Sequence, residues 1–115
     1  MEDCIFCKIA NGAIPVPFVY EDEFVVAFND AEPQAPVHVL VVPRTHHSDL
    51  SDDISPELAA ALVAAVPKVA GIAGIAESGY RVIINCGPDA RQSVPHLHIH
   101  VLGGALMSHG MVTFA

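Results

Sequence analysis

Basic side chains are scarce. Only Lys8, Arg44, Lys68, Arg81 and Arg91 set positive charge against 13 carboxylates, leaving a net charge of −8 over 115 residues. A polynucleotide-binding surface needs a stripe of Lys and Arg to neutralise phosphates, and none exists here, so nucleic acid is excluded as a partner. The acidic field also repels anionic ligands at long range. Any phosphate would have to be held by local dipoles, backbone N–H groups and histidines. Cysteine is scarce too: three is an odd number, which argues against a disulfide framework. No apolar run reaches the length of about 20 residues that a membrane span requires. The longest candidate, 58–76, is broken by Pro67, Lys68, Gly71 and Gly74. Met1–Ala10 lacks the charged-then-apolar pattern of a leader. A soluble protein with no membrane partner is expected, cytoplasmic by default. No repeat, low-complexity tract or linker divides the chain, so 1–115 is expected to form a single domain.

What is present is apolar: 52% of residues are hydrophobic, enough to bury a core without staples at this length. Cys4–Ala10 predicts a short N-terminal helix of two turns, ended by Asn11-Gly12. β-Branched and aromatic residues predict strands at Val16–Glu21 and Glu23–Asn29. A third strand is expected at Val37–Val42, stopped by Pro43. Ser55-Pro56-Glu57 is a helix start, with a capping serine, proline at the first helical position and a carboxylate in the first turn. Leu58, Leu62, Val66, Val69 and Ala73 continue it at helical spacing, and Pro67 is expected to kink or divide it. Ala60, Ala61, Ala64 and Ala65 give that helix a small face, which suits close packing, including against a second subunit, or simply reflects helix propensity. Tyr80–Cys86 predicts a fourth strand and His96–Leu102 a fifth. One long helix beside five short strands, without repeated β-α-β alternation, predicts an α+β fold with a mostly antiparallel sheet.

The most informative segment is His96-Leu97-His98-Ile99-His100-Val101-Leu102. Side chains of a strand alternate between faces, so three imidazoles share one face at a spacing of roughly 7 Å, and aliphatics share the other. Imidazole has an ordinary pKa of about 6.5, so a neutral nucleophilic nitrogen exists near pH 7. It can attack phosphorus and later depart. Gln92 and Ser93 in the preceding loop can donate hydrogen bonds where charge develops, and Asn85 can orient an imidazole. Residue types alone leave a second reading open, a metal-dependent hydrolase, because His-x-His also presents imidazoles to zinc. A nucleotide-binding module without catalysis is a third. Cys4-x-x-Cys7 suggests metal binding or redox chemistry. His38 faces either a ligand or the core, His47 and His109 are expected to be exposed, and Cys86 is expected to be a small buried residue.

The pattern His-φ-His-φ-His-φ-φ, with φ apolar, resembles the histidine triad (HIT) family, in particular its Hint-like nucleoside phosphoramidase branch. The likeness extends over Cys4-Ile5-Phe6-Cys7-Lys8-Ile9, Phe28-Asn29-Asp30, Pro33-Gln34-Ala35-Pro36-Val37-His38, Val41-Val42-Pro43-Arg44-Thr45-His46, Gln92-Ser93-Val94 and Val101-Leu102-Gly103-Gly104. It implies a HIT-like fold and cleavage at the α-phosphorus of nucleoside 5′-phosphoramidates or related AMP-X compounds, through a covalent nucleotidyl-histidine. Other branches act on dinucleotides and sugar nucleotides. By the resemblance, His98 is the nucleophile, the His96 carbonyl holds its Nδ1–H, and His100 contacts a phosphate oxygen. Ser93 touches the phosphate or leaving group. Asn85 and Gln92 assist on the phosphate side, Asp30 grips the ribose, and Ile5, Phe6, Phe28 and Leu40 sandwich the base of an AMP-like purine nucleotide. Family members are commonly homodimers whose sheets join into one of ten strands. Those with this N-terminal pattern often hold a structural zinc, for which Cys4, Cys7, His46 and His96 make a Cys2His2 set; the alternative is a pair of reduced thiols in an apolar turn. Arg91 stands where the family often has glycine, and the tail lacks the Trp-Pro ending of some Hint-like members.

Overall fold

A computed structural model describes residues 3–115. Five strands form one antiparallel sheet: β1 (Tyr20–Glu21), β2 (Val25–Asn29), β3 (Val37–Pro43), β4 (Tyr80–Ile83) and β5 (Ile99–Gly103), in the spatial order β1-β2-β3-β5-β4. Helix α1 (Ile5–Ala10) lies against one face and α2 (Pro56–Ile72) against the other. Among the described residues, no helix is long and apolar enough to cross a membrane.

Alternation along the strands builds the two cores. Val25, Ala27, Val39, Val41, Ile99 and Val101 point towards Leu58, Leu62, Ala65, Val66, Val69 and Ala70 of α2. Val26, Phe28, Leu40 and Val42 point the other way and meet Cys4, Phe6, Ile9 and Ala10. The start of α2 follows its capping chemistry, with the Leu58 N–H donating to Ser55 Oγ at 3.1 Å. Pro67 does not divide the helix, which is one element from Pro56 to Ile72. Its missing hydrogen bond would have gone to the carbonyl of Val63, a residue 70% exposed, where water can satisfy the oxygen.

Several strands are shorter than their residue types suggest. Pro15 and Pro17 interrupt the ladder before Tyr20, confining β1 to two residues. Asp22 Oδ1 accepts from the N–H groups of Phe24 and Val25 at 2.8 and 2.9 Å, and this local turn delays β2 to Val25. β4 ends at Ile83, so Asn85 and Cys86 lie beyond it. The largest correction is β5, which begins at Ile99 and not at His96. Pro43 has no N–H to offer a neighbouring strand, and its carbonyl instead accepts from the His96 ring at 3.0 Å. The Leu97 N–H donates to the His47 carbonyl at 2.7 Å, outside any strand pair.

Gly103 ends β5 where a side chain has no room: a Cβ there would sit 2.8 Å from Ile75 Cδ1 and 3.2 Å from the Gly79 carbonyl oxygen. Gly103→Ala is expected to destabilise the chain by about 1–3 kcal/mol, measured by urea denaturation.

Candidate functional site

The cavity that matters for chemistry opens on the α1 side of the sheet. It encloses about 410 Å³, and its walls include Ile5, Phe6, Ile9, Val16, Phe28 and Leu40. Asp30, Ser93, His98 and His100 supply polar atoms. Of the residues singled out from sequence, Ile5, Phe6, Phe28, Leu40, Asp30, Ser93, His98 and His100 therefore converge. Asn85 and Gln92 do not line it. Asn85 is half-buried past the end of β4. The Gln92 amide is committed to the loop: its Oε1 accepts from the Gly87 N–H at 3.0 Å, and its Nε2 donates to the carbonyls of Ser48 and Val94 at 2.7 and 2.9 Å.

His98 is buried, and its Nδ1–H donates to the His96 carbonyl at 2.7 Å. That bond keeps the proton of the neutral ring on Nδ1, so the lone pair of that tautomer is on Nε2. Phe6 presents its ring edge-on to His98, with centroids 5.2 Å apart, and the His100 ring lies 4.9 Å away.

His100 is organised by a residue whose role the sequence left undecided. The Gln34 N–H donates to His38 Nδ1 at 3.0 Å, so His38 carries its proton on Nε2. His38 Nε2–H then donates to His100 Nδ1 at 2.8 Å, with Asp30 Oδ2 at 3.4 Å from the same nitrogen. The proton of neutral His100 is thereby forced onto Nε2, a buried donor with no partner among the described residues. Burial, aided by the neighbouring His98 and His38, pushes the His100 pKa down to about 4. The ring thus acts as a neutral donor at pH 7. The sequence signal for His38 was its parity with Leu40 on β3, which puts it on the cavity face.

The first histidine of the series sits behind the cavity. His96 is fully buried, and its Nε2–H donates to the Pro43 carbonyl, so Nδ1 keeps its lone pair. That nitrogen lies 3.3 Å from Cys4 Sγ and 3.4 Å from Cys7 Sγ, and His46 Nδ1 lies 3.3 Å from Cys7 Sγ. The four ligand atoms are all within 4.8 Å of one another. Tetrahedral zinc with sulfur and nitrogen ligands has edges of about 3.3–3.8 Å, so this Cys2His2 cluster could hold such an ion. Burial is the main influence both lowering the His96 pKa to about 4 and raising the Cys7 thiol. Of the paired histidines, His46 joins the cluster. His47 is half-buried and not exposed as expected, because its ring bridges Thr45 Oγ1 at 2.9 Å and Asp52 at 3.6 Å. Cys86 is also only half-buried, 3.4 Å from Ser51 Oγ, while His109 is exposed.

Asp30, His38 and His100 form a second group of close ligand types. The tautomers argue against a cation there: His38 accepts a backbone N–H on one ring nitrogen and must keep its proton on the other.

The profile of the HIT domain matches residues 11–107. The chain belongs to the HIT family. Among HIT relatives, the purine nucleoside phosphoramidase of Escherichia coli K12 is 42% identical over 106 residues, spanning 90% of this chain and 88% of its own. A histidine triad protein from Clostridium difficile superposes with a TM-score of 0.89 at 46% identity, covering 96% of this chain and 97% of that one. A HIT family hydrolase from Clostridium thermocellum gives a TM-score of 0.91 at 43% identity, covering 97% and 99%. The HIT fold expected from the resemblance, and the α+β antiparallel sheet expected from the residue pattern, are therefore the fold observed. Arg91 has φ +56°, a left-handed conformation that glycine would adopt without the steric cost a side chain carries.

Proposed function

We propose that this HIT protein cleaves the α-phosphorus bond of nucleoside 5′-phosphoramidates or related AMP-X compounds through a nucleotidyl-His98 intermediate. The observation that carries the reading is the His98 ring: Nδ1–H is tied to the His96 carbonyl at 2.7 Å, while the ring lines a cavity shared with an unpartnered N–H donor on His100. The names of the E. coli phosphoramidase and the C. thermocellum hydrolase support it.

In this reading the base packs between Ile5, Phe6 and Ile9 on one side and Phe28 and Leu40 on the other, and Asp30 accepts from the ribose hydroxyls. His98 Nε2 attacks phosphorus, the P–N bond breaks, and the leaving nitrogen takes a proton from solvent, which is returned when water later hydrolyses the intermediate. Ser93 hydrogen-bonds the phosphate or the departing group. Negative charge on the phosphoryl oxygens is met by His100 Nε2–H. Water then attacks phosphorus, His98 leaves with its electron pair, and AMP is released. No resident metal enters these steps. A zinc ion held by Cys4, Cys7, His46 and His96 would be structural, tying α1 to the sheet.

A homodimer is part of the proposal. β4 is a sheet edge with Tyr80, Val82 and Ile83 partly exposed, and Val63 and Ile72 of α2 are exposed as well. Edge pairing with a second copy would cover unpaired backbone groups and continue the sheet.

Incubation of the protein with adenosine 5′-phosphoramidate, without added metal, is expected to release AMP. Tight AMP binding with no turnover on amide, ester or thioester AMP-X substrates would overturn the catalytic reading in favour of a binding module.

A further inference from the structure

His96, Leu97 and His98 precede β5 and take no part in its ladder. Their placement depends on other bonds. His96 N–H donates to the Val94 carbonyl at 2.8 Å, Leu97 N–H to the His47 carbonyl at 2.7 Å, and the His96 ring to the Pro43 carbonyl. The Leu97 side chain is buried in the α2 core, and on the other face the His96 Nδ1 is directed at Cys4 and Cys7. One residue therefore supplies both a cluster ligand and the carbonyl that orients the His98 ring.

The same cluster reaches the opposite wall of the cavity. Helix α1 has six residues, far below the length of about 12–15 at which an isolated helix persists in water. Cys4 is its N-cap, and Cys7 lies in its first turn. Between them stand Ile5 and Phe6, which line the cavity along with Ile9. Phe6 also touches both rings edge-on, 5.9 Å from His96 and 5.2 Å from His98.

We propose that Cys4 and Cys7 are positioning residues for the reaction, which by ligating zinc together with His46 and His96 set both the His98 ring and the apolar wall that receives the nucleoside. The inference rests on His98 as the nucleophile and goes beyond a structural tie, because it assigns two separate kinetic consequences to one cluster. The path through His96 governs kcat. The path through α1 governs nucleotide affinity. Ligand-supporting contacts of this kind typically alter activity by about 10- to 100-fold.

The test compares zinc-loaded wild type, chelated wild type, zinc-restored wild type, Cys7→Ala and Cys7→His. Zinc content, AMP affinity by calorimetry, amide hydrogen exchange, and kcat and KM on adenosine 5′-phosphoramidate are measured for each. Chelation and Cys7→Ala are expected to lower kcat and weaken AMP binding, each by about tenfold or more. Leu97 and α1 amides should exchange faster while Val39, Val41 and Val101 stay protected. Zinc return, and Cys7→His with its retained ligand, should restore both quantities. If Cys7→Ala fails to fold, the chelated wild type decides. The proposal is overturned if the protein takes up no zinc, if the chelated form binds AMP and protects Leu97 as the loaded form does, or if chelation unfolds the sheet together with α1. Failure of the loaded wild type to turn over any AMP-X substrate would instead refute the catalytic reading, and AMP affinity with Leu97 exchange would still decide the coupling.

Discussion

His98→Ala is expected to lower AMP release from adenosine 5′-phosphoramidate by at least about 10⁴-fold, the scale on which removal of a covalent nucleophile acts. The loss should fall on kcat. The base and ribose contacts assigned to Phe6, Phe28 and Asp30 do not pass through the imidazole, so AMP affinity should change little. The reason for so large an effect is that no neighbour can substitute. His96 has both ring nitrogens engaged, one with the Pro43 carbonyl and one with the cysteine pair. His100 presents a proton, not a lone pair, because its Nδ1 accepts from His38. Rapid-quench mass spectrometry of wild type should find an added nucleotide on His98, and the variant should show none. A thermal melt guards against simple unfolding, since His98 is buried. Turnover within about tenfold of wild type would remove His98 from the role of nucleophile.

The alternation across residues 96–102 was enough to assign faces: Leu97, Ile99 and Val101 enter the α2 core and the histidines face the other way. Alternation does not say where a ladder stops, because that depends on the partner strand. β3 pairs with β5 only as far as Val41 opposite Ile99, and Pro43 then turns its carbonyl to a side chain. The Cys2His2 set came with the family resemblance: Cys4-x-x-Cys7 by itself points to a metal or to redox chemistry, and with seven histidines in the chain residue type does not single out His46 and His96. The duty of His38 was not legible. It requires the Gln34 backbone N–H and the His100 ring to meet around one imidazole, across a sequence separation of 62 residues on one side. Gln92 shows the converse: its residue type suits an oxyanion donor, but the loop it closes takes both of its amide N–H donors.

His100→Phe is expected to cost about 10²–10³ in kcat, the usual penalty for removing one donor aimed at developing oxyanion charge. Phenylalanine keeps an aromatic ring but removes the Nδ1 that accepts from His38 along with the N–H, so a thermal melt and AMP affinity are measured beside kcat. The structure also fixes how this donor responds to pH. Its pKa of about 4 means that the neutral tautomer persists through the neutral range, and no loss of activity from His100 is expected until the solution is well below pH 6. Protonation would place a second N–H on Nδ1, facing the Nε2–H of His38, and would break the 2.8 Å bond that sets the tautomer. The same depression has a sign for stability. The unfolded imidazole, with an ordinary pKa of 6.5, binds protons that the folded ring refuses, so stability falls as pH drops from 6.5 towards 4. His96, also held at about 4 by burial, acts in the same direction. Urea midpoints at pH 7 and pH 5 should therefore differ in wild type, with the acid value lower. In His100→Phe the gap should narrow, because one of the two rings that resist protonation is gone. A gap of unchanged size would mean that His100 is not held neutral by its surroundings, and the case for it as a neutral donor to phosphate would fall with it.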